Sequence, residues 1–295
     1  MSTVTFPGLG LELHLNRVAF TLGSFQVYWY GIIIALGFFL GVAFCCWQSK
    51  KFGIKPDDIL DMILFAAPGG IIGARLYYII FNPSLYVTAD GSLDLMACLD
   101  VHRGGLAIYG GIIAGVLIAW AVARYKKIPF PALADVCAFG LLIGQIAGRW
   151  GNFMNVEAYG GPTDLPWRMG IEKAGEYLEV HPTFLYESLW NLVGFCLLCW
   201  LLHKGIRAFD GMYFLLYVAW YGLGRGFIEG LRTDSLYFFS TGLRTSQLLA
   251  FLSCGVAIVL LVWKLRTHPK PKDLYVNREK PTQNQEEQLP EKKGE

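Results

Sequence analysis

Phe25-Gln-Val-Tyr-Trp-Tyr-Gly-Ile-Ile-Ile-Ala-Leu-Gly-Phe-Phe-Leu-Gly-Val-Ala-Phe-Cys-Cys-Trp47 runs for 23 residues without a charge. A helix needs roughly 17–25 mostly apolar residues to cross the hydrocarbon core of a bilayer, and this stretch has them. No Lys or Arg stands just ahead of it and no small-residue cleavage site ends it, so it does not read as a cleavable leader. Six more stretches repeat the pattern, at about 57–81, 105–124, 131–147, 182–203, 210–228 and 245–263. The run at 131–147 is short, and Pro68-Gly69-Gly70 interrupts the run at 57–81, where a kink needs neighbouring helices around it. The expected fold is an all-α integral membrane protein with seven transmembrane helices.

Composition agrees. Of 295 residues, 54% are hydrophobic and 16% charged, against about 25% charged in soluble domains. The last 32 residues, from Lys264, hold 14 of the 48 charges, so the remaining body cannot cover a water-facing surface. A soluble globular enzyme is excluded. A net charge of +2, with its bases dispersed, also excludes a nucleic-acid binder. The seven cysteines are an odd number, and all but Cys98 lie in apolar runs, so no disulfide framework is implied. Cys196 and Cys199 form a C-x-x-C inside an apolar helix with no second pair, a poor zinc or redox site. From about Thr267 the chain turns to Pro, Lys, Glu, Gln and Asn, too polar to fold alone. Three regions result: 1–24 before the membrane, 25–266 as the helical membrane domain, and 267–295 as a disordered tail.

Lys and Arg near the ends of spans set orientation. With the N-terminus outside, the inner segments hold twelve bases, among them Lys50, Lys51, Lys126, Lys127 and Lys264, and the outer segments six. Seven crossings then place the basic tail inside. In that orientation the polar residues gather on the outer side: Tyr30, Arg75, His102, Arg103, Tyr109, Arg149, Asn152, Asn155, Glu157, His181, Tyr186, Glu187, Arg225 and Glu229. Asp135 alone breaks the pattern. A charge at membrane depth costs roughly 2.5–3.5 kcal/mol on insertion scales and persists only with a partner or a wet cavity. Arg75, Arg149 and Arg225 therefore suggest an outward polar cavity, and arginine's planar fork suits phosphate. A lipid headgroup is the natural ligand at that depth. Plainer roles also fit individual residues. Tyr28, Trp29 and Tyr30 suit an aromatic belt. Gly110, Gly111 and Gly115 suit close helix approach. Glu229 could simply pair with Arg225 or Arg232.

Several stretches carry a resemblance. Gly148-Arg-Trp-Gly-Asn-Phe-Met-Asn-Val-Glu157, running on to Gly160, resembles the signature of the prolipoprotein diacylglyceryl transferases. His102-Arg-Gly-Gly-Leu-Ala-Ile-Tyr-Gly-Gly111, His181-Pro-Thr-Phe-Leu-Tyr-Glu187 and Tyr221-Gly-x-x-Arg225-x-x-x-Glu229-x-x-Arg232-x-Asp234 are similar to further motifs of that family, as is Tyr30-Gly31. The resemblance covers about residues 15–265. It implies a bacterial inner-membrane enzyme with its active site toward the extracytoplasmic face. The implied reaction moves the diacylglyceryl group of phosphatidylglycerol to the lipobox cysteine thiol of a prolipoprotein signal peptide, releasing glycerol 1-phosphate. By resemblance, Arg149 and Arg225 are the essential arginines, Arg149 binds the lipid, and Tyr30, Asn152 and Gly160 are sensitive positions. Glu157 joins the phosphatidylglycerol-binding set. No cofactor or metal is expected.

One position departs from the pattern. Many relatives carry a histidine, proposed as the base, just before the paired glycines, and here that residue is Tyr109. Tyr109 is kept as a catalytic candidate, and the identity of the base stays open. A multi-pass transporter of an anionic solute or lipid is the competing function, and it requires polar groups along a through-path.

Overall fold

The computed structural model describes residues 2–88, 91–92, 94–100, 104–173, 175–233, 244–267 and 269–278. In chain order come strands β1 (Ser2–Phe6), β2 (Leu11–Leu15), β3 (Val18–Leu22) and β4 (Phe25–Tyr28), then helices α1 (Trp29–Ser49), α2 (Pro56–Phe81), α3 (Leu95–Leu99), α4 (Ile108–Tyr125) and α5 (Phe130–Asn155). Strands β5 (Met169–Lys173) and β6 (Glu176–Val180) precede α6 (Thr183–His203), α7 (Met212–Glu229) and α8 (Thr245–Arg266). Among the described residues, seven long helices stand at the seven apolar runs. Six of them are long and apolar enough to cross a membrane. The exception is α7, which carries Arg225 and Glu229 within 18 residues. Helix α2 continues through Pro68.

The chain is mostly helical rather than all-α. Strands pair antiparallel in the order β2-β1-β5-β6, and β3 and β4 form a separate hairpin. Their four or five residues are too short to register beside runs of twenty. Val4 and Phe6 of β1, Met169 and Ile171 of β5 and Val180 of β6 are buried in one cluster with Phe153 and Phe184, the i, i+2 spacing of residues on one face of a strand. Two helix boundaries also move. The run at 25–47 opens as strand β4, and α5 extends eight residues past its apolar stretch, to Asn155. Arg149 and Asn152 therefore lie inside α5, not beyond its end.

Helices α2 and α4 pack closely through glycine. A Cβ on Gly110 would stand 2.4 Å from the Gly73 carbonyl oxygen, and one on Gly73 would stand 2.2 Å from the Ala114 Cβ. Gly111 meets the Gly70 oxygen in the same seam, whereas Gly115 faces open space and takes no part. At the α6–α7 contact, Trp190 and Trp220 stack at 4.5 Å, and each indole N–H donates to the other's carbonyl, at 2.9 and 2.8 Å. Gly224 and Gly194 make room for the two rings.

The other end of the bundle closes around Asp135, which is fully buried. Its carboxylate accepts the N–H groups of Gly211 at 2.8 Å and Phe214 at 2.9 Å, capping the N-terminus of α7. The Arg207 guanidinium lies 3.4 Å from Asp135 and 2.7 Å from Asp210, and its face stacks 4.3 Å from the Phe52 ring. Just past the end of α4, Lys126 reaches Asp61 of α2 at 2.5 Å and Asp58 at 3.2 Å. Those two carboxylates hold its ammonium pKa above the usual lysine value. Residues 269–278, assigned by composition to the tail, also pack here. Leu274 is buried, the Tyr275 N–H donates to Asp210 at 3.0 Å, and Arg278 approaches the same carboxylate at 3.9 Å. Leu274, the Tyr275 side chain against the main core and two polar contacts hold a segment whose composition alone would not place it.

Candidate active site

At the end of the bundle that carries the sheets, α5, α6 and α7 bring four charged side chains together. Arg149 projects from the last two turns of α5, Glu187 from the first turns of α6, and Arg225 and Glu229 from the last turns of α7. Glu187 Oε2 lies 2.6 Å from Arg149 Nη2, and its Oε1 lies 2.6 Å from Arg225 Nη1. The other fork of Arg225 meets Glu229 at 2.5 Å, the i,i+4 spacing of one helix face. Arg232 adds its guanidinium at 3.7 Å from Glu187 and 4.0 Å from Glu229. Arg244 donates to the Glu229 carbonyl. The carboxylates of Glu187 and Glu229 are 3% and 2% exposed, respectively. Counted as ionised, Arg149, Arg225 and Arg232 against Glu187 and Glu229 leave one positive charge in surplus.

A hydrogen-bonded line leads out of this cluster. Arg149 Nη1 donates to Asn152 Oδ1 at 3.3 Å, and Asn152 Nδ2 donates to Glu157 at 2.7 Å. Glu157 is exposed and lines a cavity of about 680 Å³ together with Arg17, Phe25, Tyr28 and Tyr30. Tyr30 packs its ring on α5, where a Cβ on Gly151 would come within 2.9 Å of it. Among the described residues, no three His, Cys, Asp or Glu side chains gather as a metal site would require.

The loop after α5 holds the cluster in register. Val156 and Ala158 take left-handed φ angles of 52° and 57°, uncommon for residues with a Cβ, and turn the chain sharply back. Gly160 donates to the His181 carbonyl at 2.9 Å and bridges Arg232, and Gly161 donates to the Leu231 carbonyl at 2.8 Å. A Cβ on Gly160 would stand 2.6 Å from the His181 Cβ and 3.0 Å from the Leu231 oxygen. One loop thus ties the entry of α6 to the exit of α7, and with them Glu187 to Arg232.

A family model described as prolipoprotein diacylglyceryl transferase matches residues 17–263. The chain belongs to the prolipoprotein diacylglyceryl transferase family. Proteins named phosphatidylglycerol–prolipoprotein diacylglyceryl transferase are similar to this transferase at 41% identity in Clostridioides difficile, 41% in Lactiplantibacillus plantarum and 43% in Acaryochloris marina. These matches cover 84%, 86% and 83% of this chain and 95%, 91% and 89% of the three relatives.

The transferase assembles most of the residues singled out in its sequence. Arg149, Asn152, Glu157 and Arg225 join one polar chain, and Tyr30 lines the cavity beside it. Gly160 sits against the backbone of Leu231, where it lets two loops meet. Tyr109 lies half-exposed in the first turn of α4, and no hydrogen bond among the described residues joins it to the arginines. His102, Arg103 and Asp234 lie outside the described residues.

Arg75 is a correction. Its guanidinium donates to the carbonyls of Ala97, Cys98, Asp100, Gly104 and Gly105 at 2.7–3.0 Å and stands 5.1 Å from the Tyr86 ring. It organises the segment around α3 and leaves no fork for a phosphate. Membrane depth marks a residue that needs partners, and backbone carbonyls are partners as good as a ligand. Glu187, conversely, is more central than its motif suggested. An acid 38 residues from each arginine, on the helix between theirs, gives no periodic signal of pairing.

Proposed function

We infer that the chain transfers the diacylglyceryl group from phosphatidylglycerol to the cysteine thiol of a prolipoprotein, forming a thioether and releasing glycerol 1-phosphate. Membership of the family supports the reaction, and the paired Arg149 and Arg225 at one bundle end carry it to residues. In the transfer the thiol loses its proton, its sulfur bonds to the glycerol carbon next to the phosphate, and the carbon–oxygen bond breaks. The electron pair leaves on the phosphate oxygen. Arg149 and Arg225 hold that phosphate and stabilise its growing charge more in the transition state than in the ground state. Asn152 and Glu157 orient Arg149, Tyr30 shapes the cavity through which substrate reaches it, and Gly160 keeps the supporting loops in contact. The acceptor is the lipobox cysteine of a signal peptide. Asp135 does not mark a transport path, because its carboxylate is used up in capping α7.

The protein acts in a bacterial inner membrane with seven crossings, the N-terminal segment 1–24 and the site on the extracytoplasmic face, and the tail from about 267 inside. The twelve-to-six asymmetry of bases supports that direction. Cysteine-directed labels at the N-terminus are expected to react from outside intact cells. Labels placed beside Lys126 should react only after the membrane is opened. Outside labelling at Lys126 would reverse the orientation and move the site to the inner face.

Tyr109 acts as a hydrogen-bonding group, since a phenol hydroxyl both donates and accepts. Its hydroxyl orients the thiol or a phosphate oxygen, a role that imidazole can share. Tyr109→Phe is expected to lower thioether formation while Tyr109→His keeps a substantial part of it. Wild-type rates in Tyr109→Phe across the pH range would show that position 109 needs no polar group. The function itself is tested by incubating purified protein with phosphatidylglycerol and a lipobox peptide. A peptide heavier by one diacylglyceryl group supports transfer, and an unmodified peptide refutes it.

A further inference from the structure

Glu187 holds two arginines at once, with Oε2 on Arg149 and Oε1 on Arg225, each at 2.6 Å. We propose that Glu187 is a positioning residue for the transfer: it fixes the spacing of the two guanidinium forks and does not accept the proton of the attacking thiol. The proposal rests on the reading that those forks receive the donor phosphate.

The side chain is suited to fixing its partners because its own helix is fixed on both sides. The reciprocal Trp190–Trp220 hydrogen bonds clamp α6 to α7, at 2.9 and 2.8 Å. The Trp150 indole donates to Ser188 Oγ at 3.2 Å, and Ser188 Oγ donates to the Ile146 carbonyl at 3.3 Å, which clamps α6 to α5. The carboxylate between them is 3% exposed and cannot follow a mobile arginine. Each arginine sits at the end of a long stem with many rotamers, and donors ordered before the reaction need no reorganisation during it. Glu187 supplies that order for Arg149 and Arg225 together, from one carboxylate.

The same contacts make Glu187 a poor base. A base needs an oxygen facing the proton it takes, within hydrogen-bond reach. Both oxygens of Glu187 face arginine nitrogens, and three guanidinium groups surround it: Arg149, Arg225 and Arg232. Protonation would give up two ion pairs in a buried site. Glu157 differs, for it is exposed, engages Asn152 through Oε1 and faces the cavity that Tyr30 lines.

Removing the carboxylate charge leaves the arginines more positive, so it should not weaken their hold on an anionic lipid. The loss should fall on turnover. Purified Glu187→Gln is expected to show kcat lower by about 10²-fold, the scale of losing one well-placed donor to a developing oxyanion. Its KM for phosphatidylglycerol should stay level or fall, and the acid limb of the pH–kcat profile should remain in place. A kcat close to wild type would overturn the proposal, because the forks would need no clamp. Loss or displacement of the acid limb would also overturn it, by making Glu187 the base. So would a loss confined to KM. If Glu187→Gln does not accumulate, Glu187→Asp asks the same question. It keeps the charge but is one methylene too short to hold both forks, so kcat should fall with KM retained, and wild-type kcat would count against the proposal. Arg149→Ala separates the two levels of inference: full activity there removes the phosphate reading itself, whatever Glu187 does.

Discussion

Arg149→Lys and Arg225→Lys are each expected to lower thioether formation by about 10²–10³-fold, the range seen when one preorganised donor to a developing oxyanion is lost. Lysine keeps the charge, so a generic need for positive potential would be met. It lacks the planar fork that can hold a carboxylate on one edge and present N–H groups to phosphate oxygens on another. In this protein the difference is sharpened by Glu187 and Glu229. Arg225 meets the two acids from two separate nitrogens, at 2.6 and 2.5 Å, where lysine offers one nitrogen on a shorter stem. Arg149 spans Glu187 and Asn152 in the same way. Membrane abundance of both variants should match wild type. Near-normal turnover in either would leave charge alone as the requirement at that position.

The second large effect lies at the opposite end of the bundle and falls on stability. Asp135→Ala removes the carboxylate that caps α7 and faces Arg207, both buried. Breaking a buried ion pair from one side typically costs about 3–5 kcal/mol, because the remaining charge keeps its desolvation penalty. The Gly211 and Phe214 N–H groups lose their acceptor as well. A strongly lowered melting temperature in detergent and reduced membrane abundance are expected, and Asp135→Asn should recover part of the loss by keeping an acceptor oxygen. An Asp135→Ala protein as stable as wild type would mean that Asp210 alone satisfies Arg207.

The two ends of the molecule show what a sequence displays and what it hides. Helices of twenty apolar residues are legible because burial in lipid imposes length and composition at once. Strand β1 alternates over only five residues, a pattern short segments also show by chance, and β5 buries Met169, Gly170 and Ile171 in a row. Arg149 and Arg225 stand out because an arginine in apolar surroundings must be partnered. Arg75 stands out for the same reason, yet its partners are five carbonyls of its own chain. Cost marks the residue, and only geometry names what meets that cost. Asp135 makes the same point in reverse: read as a lone inner charge, it is the cap of a helix 77 residues further along. The resemblance alone points to Gly160, and that its neighbour is the Leu231 backbone is a tertiary fact. Residues 271–278 pack because Leu274 finds a buried position and Asp210 accepts a backbone N–H, neither of which composition can report.

The most direct test of the arginine–carboxylate centre as a transferase site is the stoichiometry of its two products. Purified protein is incubated with phosphatidylglycerol labelled in its terminal glycerol and with a lipobox peptide, and released glycerol 1-phosphate is counted against thioether formed. One glycerol phosphate per thioether in wild type, with both lost together in Arg149→Lys, is the predicted result. Glycerol phosphate released without thioether, or thioether formed at the wild-type rate by Arg149→Lys, would contradict it.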